Sequence, residues 1–151
     1  MQNHTQLPTG LSFSYETERL ILRLPSTDYL REIHDFLYRN RSCFEKYEPT
    51  VPENYYTLDF QQTLARCELK LALKLSSVRF YVFLKEDPST IIGTVCLHNI
   101  IKMPYFTSEV GYKFDASYQH HGYAREALSM ALSVGFYGLG LHKIFARCMP
   151  E

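Results

Sequence analysis

The segment from Ser108 to Ser133 constrains this chain more than any other. It reads as a strand, a short turn and an amphipathic helix. In the turn, Gln119-His120-His121-Gly122-Tyr123-Ala124, a glycine stands where the backbone must enter the helix. Main-chain N–H groups at a helix start lack intrahelical partners, and the positive end of the macrodipole lies behind them, so such a turn is an anion site. The small residues Gly122 and Ala124 leave room for a phosphate against the main chain. A strand that ends on a phosphate-cradling turn points to a nucleotide-containing ligand. The plain alternative is a surface helix preceded by a glycine loop, and a single glycine does not separate the two.

The helix itself is well marked. Ala124, Ala127, Leu128, Ala131, Leu132, Gly135 and Phe136 recur at three- and four-residue intervals and form one apolar stripe. Glu126 lies in the first turn, where the dipole favours a carboxylate. Gly138 and Gly140 stand where left-handed caps end helices.

Upstream, the start of the Met1–Tyr15 stretch is polar and is expected to be loose. Leu20, Leu22 and Leu24 alternate with Ile21 and Arg23 as a strand. Ser26-Thr27-Asp28 supply capping residues with Glu32 as their capping-box partner. Tyr29, Leu30, Ile33, Phe36 and Leu37 give the following helix its apolar face. Pro49 to Asn54 reads as a loop, and Thr57 to Leu75, with Leu58, Leu64, Leu71 and Leu75, as a second helix. Arg79 to Lys85 is a strand, Asp87-Pro88-Ser89 a hairpin turn, and Ile91 to Ile101 the next strand. After Pro104 comes Thr107 to Phe114, and Lys143 to Cys148 closes the chain as a strand. No repeat or linker interrupts this order, so the expectation is a single α+β domain over residues 16–151, preceded by the segment 1–15.

Composition narrows the function classes. A chain of 151 residues suits one domain with a substantial core. No run approaches the roughly 18 apolar residues of a membrane span, and no basic region precedes an apolar core at the N terminus. A formal net charge of zero argues against a dedicated nucleic-acid binder. Cys43, Cys67, Cys96 and Cys148 show no metal-ligand spacing, and a reduced cytoplasmic protein without a metal is the simpler reading.

The turn Gln119–Ala124 resembles the Gln/Arg-x-x-Gly-x-Gly/Ala signature of the GNAT superfamily of acyl-CoA-dependent N-acetyltransferases. Other segments extend the likeness to the RimJ/RimL-like branch, which acetylates ribosomal-protein N termini. Glu18–Arg23 resembles its opening strand, Ile92–Val95 its third and Glu109–Tyr112 its fourth. His142–Glu151 resembles its fifth. The resemblance implies a mixed, mostly antiparallel twisted sheet flanked by helices. In that family a further helix and two strands follow. Either this protein is short or these residues belong to a longer polypeptide, and the expectation adopted is a domain lacking its C-terminal helix and strands.

The resemblance also implies chemistry. An acetyl group passes from acetyl-CoA, a cosubstrate, to a primary amine by direct attack. Main-chain groups of Tyr112, Lys113 and Phe114 pair with the pantetheine arm like an added strand. Amides from Gln119 through His120, His121, Gly122, Tyr123 and Ala124 to Arg125 take the pyrophosphate. His120 and His121 replace the Arg or Lys common in that loop, so affinity is expected to be weaker and pH-sensitive; both are otherwise solvated loop residues. Glu109 is the candidate base, and strand alternation places it on one face with Gly111 and Lys113. Its alternative is a structural carboxylate.

His34 and His98 read as packing or surface residues, and His142 has no visible partner. Tyr55, Tyr56, Tyr81 and Tyr137 read as core or rim aromatics, and no cysteine sits in an activating context. Glu45, Glu48 and Glu53, near the expected acceptor side, point to a cationic amine such as a peptide N terminus or a polyamine, unless they form a solvated acidic loop. The resemblance makes a ribosomal-protein N terminus one expected partner, and the expected assembly is a monomer or homodimer. A non-catalytic acyl-CoA-binding sensor remains the alternative. Gly135–Gly140 ends a helix and does not lead a strand into one, which excludes a dinucleotide-binding fingerprint.

Overall fold

The computed structural model describes residues 7–8, 10–48 and 50–147. One six-stranded sheet runs in chain order: β1 Ser14–Glu16, β2 Leu20–Arg23, β3 Val78–Leu84, β4 Asp87–Ile101, β5 Thr107–Phe114 and β6 Lys143–Ala146. Helices α1 Leu30–Arg39, α2 Arg41–Phe44 and α3 Leu58–Leu73 connect β2 to β3, and α4 Tyr123–Ser133 connects β5 to β6. Neighbouring strands are antiparallel except β5 and β6. That pair is parallel because a helix crosses over between its members. The expected α+β architecture with a mostly antiparallel sheet is what forms.

Helices cover both faces of the sheet, which explains why β3 is apolar at nearly every position. Phe80 and Val82 join Leu20, Leu22, Val95 and Leu97 beneath Ala127 and Ala131 of α4. Tyr81 and Phe83 face the other way and join Ile91 beneath Ile33 and Phe36 of α1 and Ala65 of α3. The alanines on α4 let the helix lie close to the sheet.

Several local expectations are corrected. Ser26 caps a 3-10 turn, Thr27–Tyr29, by accepting from the Asp28 N–H at 3.1 Å, while α1 starts at Leu30 with Tyr29 as an N-cap that makes no side-chain hydrogen bond. The turn absorbs the capping residues, so Glu32 has no box to close. The β3–β4 reversal falls at Lys85-Glu86, between the paired Leu84 and Asp87. Asp87-Pro88-Ser89 belong to β4, where the Asp87 carboxylate accepts from Ser89 Oγ at 2.7 Å and Thr90 Oγ1 at 2.8 Å. Thr57 caps α3 through the Phe60 N–H, but the helix turns Gln61, Ala65 and Ala72 inward and leaves Leu58 and Leu71 exposed. A π-helical turn at Val134–Gly138 adds a residue after α4, which brings Val134 into the core and leaves Phe136 outside. Three residues form the edge strand β1, too short to show a period. The predicted strand end at Cys148 lies outside the described residues.

The strand β5 has two different halves. Thr107 to Val110 pair with Lys143 to Ala146 of β6, and pairing stops there. Gly111 to Phe114 continue along β4, opposite Cys96 to Gly93, with no strand on their other side among the described residues. Gly93 is needed for this arrangement, because a Cβ there would lie 2.4 Å from the Phe114 ring.

The turn after β5 is anchored by Asp115, which is 2% exposed. Its carboxylate takes Arg39 Nε at 2.6 Å, Asn40 Nδ2 at 3.2 Å and the Ser117 N–H at 2.9 Å. Burial alone would raise this carboxyl, but the donors from Ser117, Arg39 and Asn40 outweigh it and hold it below the usual range. A carboxyl depressed in the fold stabilises it above the unfolded value, near pH 4, and loses that contribution as pH falls through the folded value. Asp115→Ala is expected to cost about 3 kcal/mol at pH 7, the low end for breaking a buried pair because Arg39 reaches solvent. In urea unfolding the difference from wild type should stay constant down to about pH 4 and vanish at lower pH.

Candidate active site

Gly122 is the N-cap of α4, with φ 80°, and His120 two residues earlier has φ 67°. Two left-handed residues so close together turn the chain sharply, and a histidine tolerates that region better than most side chains. The Glu126 N–H makes the first helical bond, to Gly122 O at 3.1 Å. Among the described residues the N–H groups of His120 through Arg125 meet no acceptor, and no side chain caps the helix. The result is a row of free donors at the positive end of an eleven-residue helix.

A long-range clamp holds that turn. Glu126 Oε2 accepts from Thr17 Oγ1 at 2.5 Å and from the Arg19 N–H at 2.9 Å, and Oε1 accepts from Arg19 Nε at 2.8 Å. The Arg19 guanidinium also donates to His121 O at 2.9 Å and lies 4.5 Å from the centre of the Tyr123 ring. Burial would raise the Glu126 carboxyl, but the hydrogen bonds from Thr17 and Arg19 prevail and lower it. The expectation that Glu126 serves the dipole is met, and the carboxylate also fastens the helix start to β2.

Beside the open half of β5 lies a groove of about 560 Å³ lined by Phe44, Tyr47, Tyr112, Lys113, Phe114, Gln119 and Ala124. It joins the two ends of the sequence-predicted set, strand and turn. The other predicted residues surround the turn differently. The His121 ring packs against Tyr123 with centroids 5.7 Å apart, His120 is exposed, and Arg125 lines a separate hollow with Thr17, Arg19 and Ser129.

A second, polar pocket of about 320 Å³ opens on the α1 and α3 side of the same strands. Arg79, Thr94, Cys96, His98 and Gly111 line it, and it shares Glu48, Tyr112 and Lys113 with the groove. Its charges are paired. Lys113 Nζ meets Glu48 Oε1 at 2.7 Å and lies over the Phe44 ring, and Arg79 Nε stands 2.8 Å from Glu68 Oε2. The latter contact is close yet poorly aligned for a hydrogen bond, since Glu68 Oε2 has no hydrogen-bond partner. Burial pushes the Glu68 carboxyl up against the opposing pull of Arg79, and it likewise raises the Cys96 thiol.

Glu109 stands apart from both cavities. It faces a third hollow, with Asn99 and Phe145, and its oxygens meet Arg147 Nε at 2.5 Å and Asn99 Nδ2 at 3.2 Å. A bulge between His98 and Ile101, with Asn99 at φ 50°, aims Asn99 at it. Of the acidic residues near the expected acceptor side, Glu45 pairs with Arg41 at 3.3 Å and Glu48 with Lys113, while Glu53 is exposed.

Gly122 stands at the helix start and Tyr112–Phe114 on the strand where the sequence reading put them, while the side chains that hold the turn were not read from the sequence. Arg19 read only as part of a strand pattern. His98 read as packing or surface but lines the polar pocket, and alternation with Thr94 and Cys96 was the available signal. His34 does pack as expected, with Nε2 2.6 Å from Tyr56 O.

Comparison with known proteins agrees with this fold. Residues 19–151 match the family described as Acetyltransferase (GNAT) domain. The chain is similar to the protein named Probable N-acetyltransferase YjcK of Bacillus subtilis (strain 168), at 31% identity over 112 residues, 74% of this chain and 61% of that protein. It is also similar to the ribosomal protein uS5-alanine N-acetyltransferase of Escherichia coli (strain K12), at 25% identity, covering 89% of this chain and 69% of that one. The chain thus spans about three-fifths of the length of the first of these relatives. Among solved structures, the ribosomal-protein-S5-alanine acetyltransferase from Vibrio fischeri gives a TM-score of 0.82 at 28% identity, with 89% of this chain and 73% of that chain covered. Mycobacterium smegmatis RimJ in complex with CoA-disulfide gives 0.80 at 19% identity over 87% of this chain and 63% of that one, a likeness of fold. Matched over most of its length and sharing this fold, the chain belongs to the GNAT acetyltransferase domain family.

Proposed function

We propose that this protein is an N-acetyltransferase that moves an acetyl group from acetyl-CoA to a primary amine by direct attack. The observation that carries the reading is the open half of β5 running into the free amides of α4. An extended amide-bearing arm suits an unpaired strand edge, as peptides suit exposed sheet edges. A pyrophosphate suits the donors of His120 through Arg125, with Gly122 keeping the approach clear. Tyr112, Lys113 and Phe114 would hold the pantetheine, and Gln119 with Ala124 would lie at the bend between arm and pyrophosphate. Bound there, acetyl-CoA supplies an activated thioester, and the chain supplies orientation and proton transfer.

The polar pocket, reached past Gly111, is the place we assign to the acceptor. A peptide N terminus is favoured over a polyamine, because Glu45 and Glu48 already hold cations and leave little uncompensated negative charge. The relatives named for ribosomal-protein alanine acetylation point the same way. Glu109 is proposed to draw the proton from the incoming ammonium, through water or another group.

Gly122→Val should weaken CoA binding by at least tenfold in calorimetry while the circular dichroism spectrum stays that of the folded protein, since valine fills the approach and resists a positive φ. Unchanged affinity would remove the turn from the cofactor site. With acetyl-CoA and a short peptide bearing a free alanine N terminus, Glu109→Gln should lower turnover about 10²-fold, the scale of a lost general base. It should leave the CoA dissociation constant unchanged, and its effect should shrink at high pH, where more of the amine is already neutral. Wild-type turnover from pH 6 to 9 in that variant would release Glu109 from the reaction.

A further inference from the structure

Gly111 stands where β5 and β6 part, one residue beyond the last paired position. It also lines the polar pocket, so the absent side chain leaves the main chain bare on that side. The group poised over it is the imidazole of His98, whose Nε2 would lie 3.6 Å from a Cβ added to Gly111. His98 is half-buried and pairs in register with Glu109. Its carbonyl takes the Ser108 hydroxyl, while its ring enters no hydrogen bond among the described residues.

The other polar groups on this side are committed. From β3, Arg79 is engaged by Glu68 of α3 and by Thr94 Oγ1 at 2.9 Å. From β5, Lys113 is engaged by Glu48 of the loop after α2. The neighbouring Cys96 of β4 has its thiol pushed up by burial and so is kept protonated. Tyr112, the remaining aromatic of the lining, is more than half exposed. Glu109 lies across the strand pair, with Asn99 and Arg147 on its oxygens. Among the described residues the pocket is therefore close to charge-balanced, and the imidazole is its one uncommitted base.

We infer that His98 takes the proton of the acceptor amine on the pocket side of Gly111. This rests on the acetyl-transfer reading above and names the group that links the ammonium to Glu109. The ammonium gives a proton to Nε2 and becomes a neutral amine. Its lone pair forms the C–N bond at the thioester carbonyl, the C–S bond breaks, and the departing thiolate takes the second amine proton. The imidazolium passes its proton toward Glu109, its register partner on β5, and the carboxylate releases it to solvent.

The test follows thiol release from acetyl-CoA with the alanyl peptide, in the full chain, for wild type, His98→Gln and His98→Ala. Expected is a roughly 10²-fold fall in kcat for His98→Gln, the scale of a lost proton acceptor. KM for the peptide and calorimetric CoA affinity should change less than threefold. The pH–rate profiles should differ, the wild type showing a limb that His98→Gln lacks, and the variant should rise only through the range of an α-amine, around pH 8. Added imidazole should restore part of the His98→Ala rate. Wild-type kcat and pH profile in His98→Gln would overturn the assignment, as would a loss confined to KM. Wild-type protein that binds CoA but releases no thiol with the peptide or with spermidine would overturn the acetyl-transfer reading itself.

Discussion

Glu126 reaches from the first turn of α4 to the start of β2 and takes hydrogen bonds from Thr17 Oγ1, the Arg19 N–H and Arg19 Nε. Arg19 then extends to His121 O and covers the Tyr123 ring. The two residues are 107 positions apart in sequence, so this contact joins the beginning of the sheet to the turn that follows its fifth strand. A turn with left-handed residues at His120 and Gly122 has few internal hydrogen bonds to define it. The clamp supplies definition from outside while leaving the amides themselves free. An anion site of this kind depends on donors that are already aimed, since their ordering is then not charged against binding.

The second constraint is the parting of β5 from β6. Parallel pairing through a helical crossover is short here, and it ends at Val110 and Ala146. The open half of β5 then presents its edge to the groove and one of its faces to the polar pocket. Gly93 lets the Phe114 ring lie flat against the sheet, and Gly111 leaves the main chain bare at the fork. The groove we assign to the acyl donor and the pocket we assign to the amine share Glu48, Tyr112 and Lys113.

Much of this was legible from residue order. The three-to-four periodicity after Gly122 and the alternation of Leu20, Leu22 and Leu24 are local signals, and both elements form where those signals put them. The apolar face of α3 was not legible, because Leu58 and Leu71 point outward while Gln61, Ala65 and Ala72 pack inward. The β3–β4 reversal was misplaced because Asp87 and Pro88 carry turn character, yet Asp87 spends its carboxylate on Ser89 and Thr90 within the strand. The donor half of the site depends on a glycine and main-chain groups, which a short motif can report. Its support depends on Arg19 and Asp115, whose partners are set by tertiary contacts that no local pattern encodes.

The central claim is that Arg19 and Glu126 act as one unit to shape the cofactor turn. A double-mutant cycle on CoA affinity, with Arg19→Met, Glu126→Gln and the pair, measures this directly. The account predicts that each single change weakens binding by about tenfold and that the double variant is no weaker than the poorer single, as expected for residues in one hydrogen-bond network. Unchanged affinity in Glu126→Gln with a loss in Arg19→Met would mean that the arginine acts alone, and strictly additive losses would mean that the two are independent. Either result would contradict the clamp.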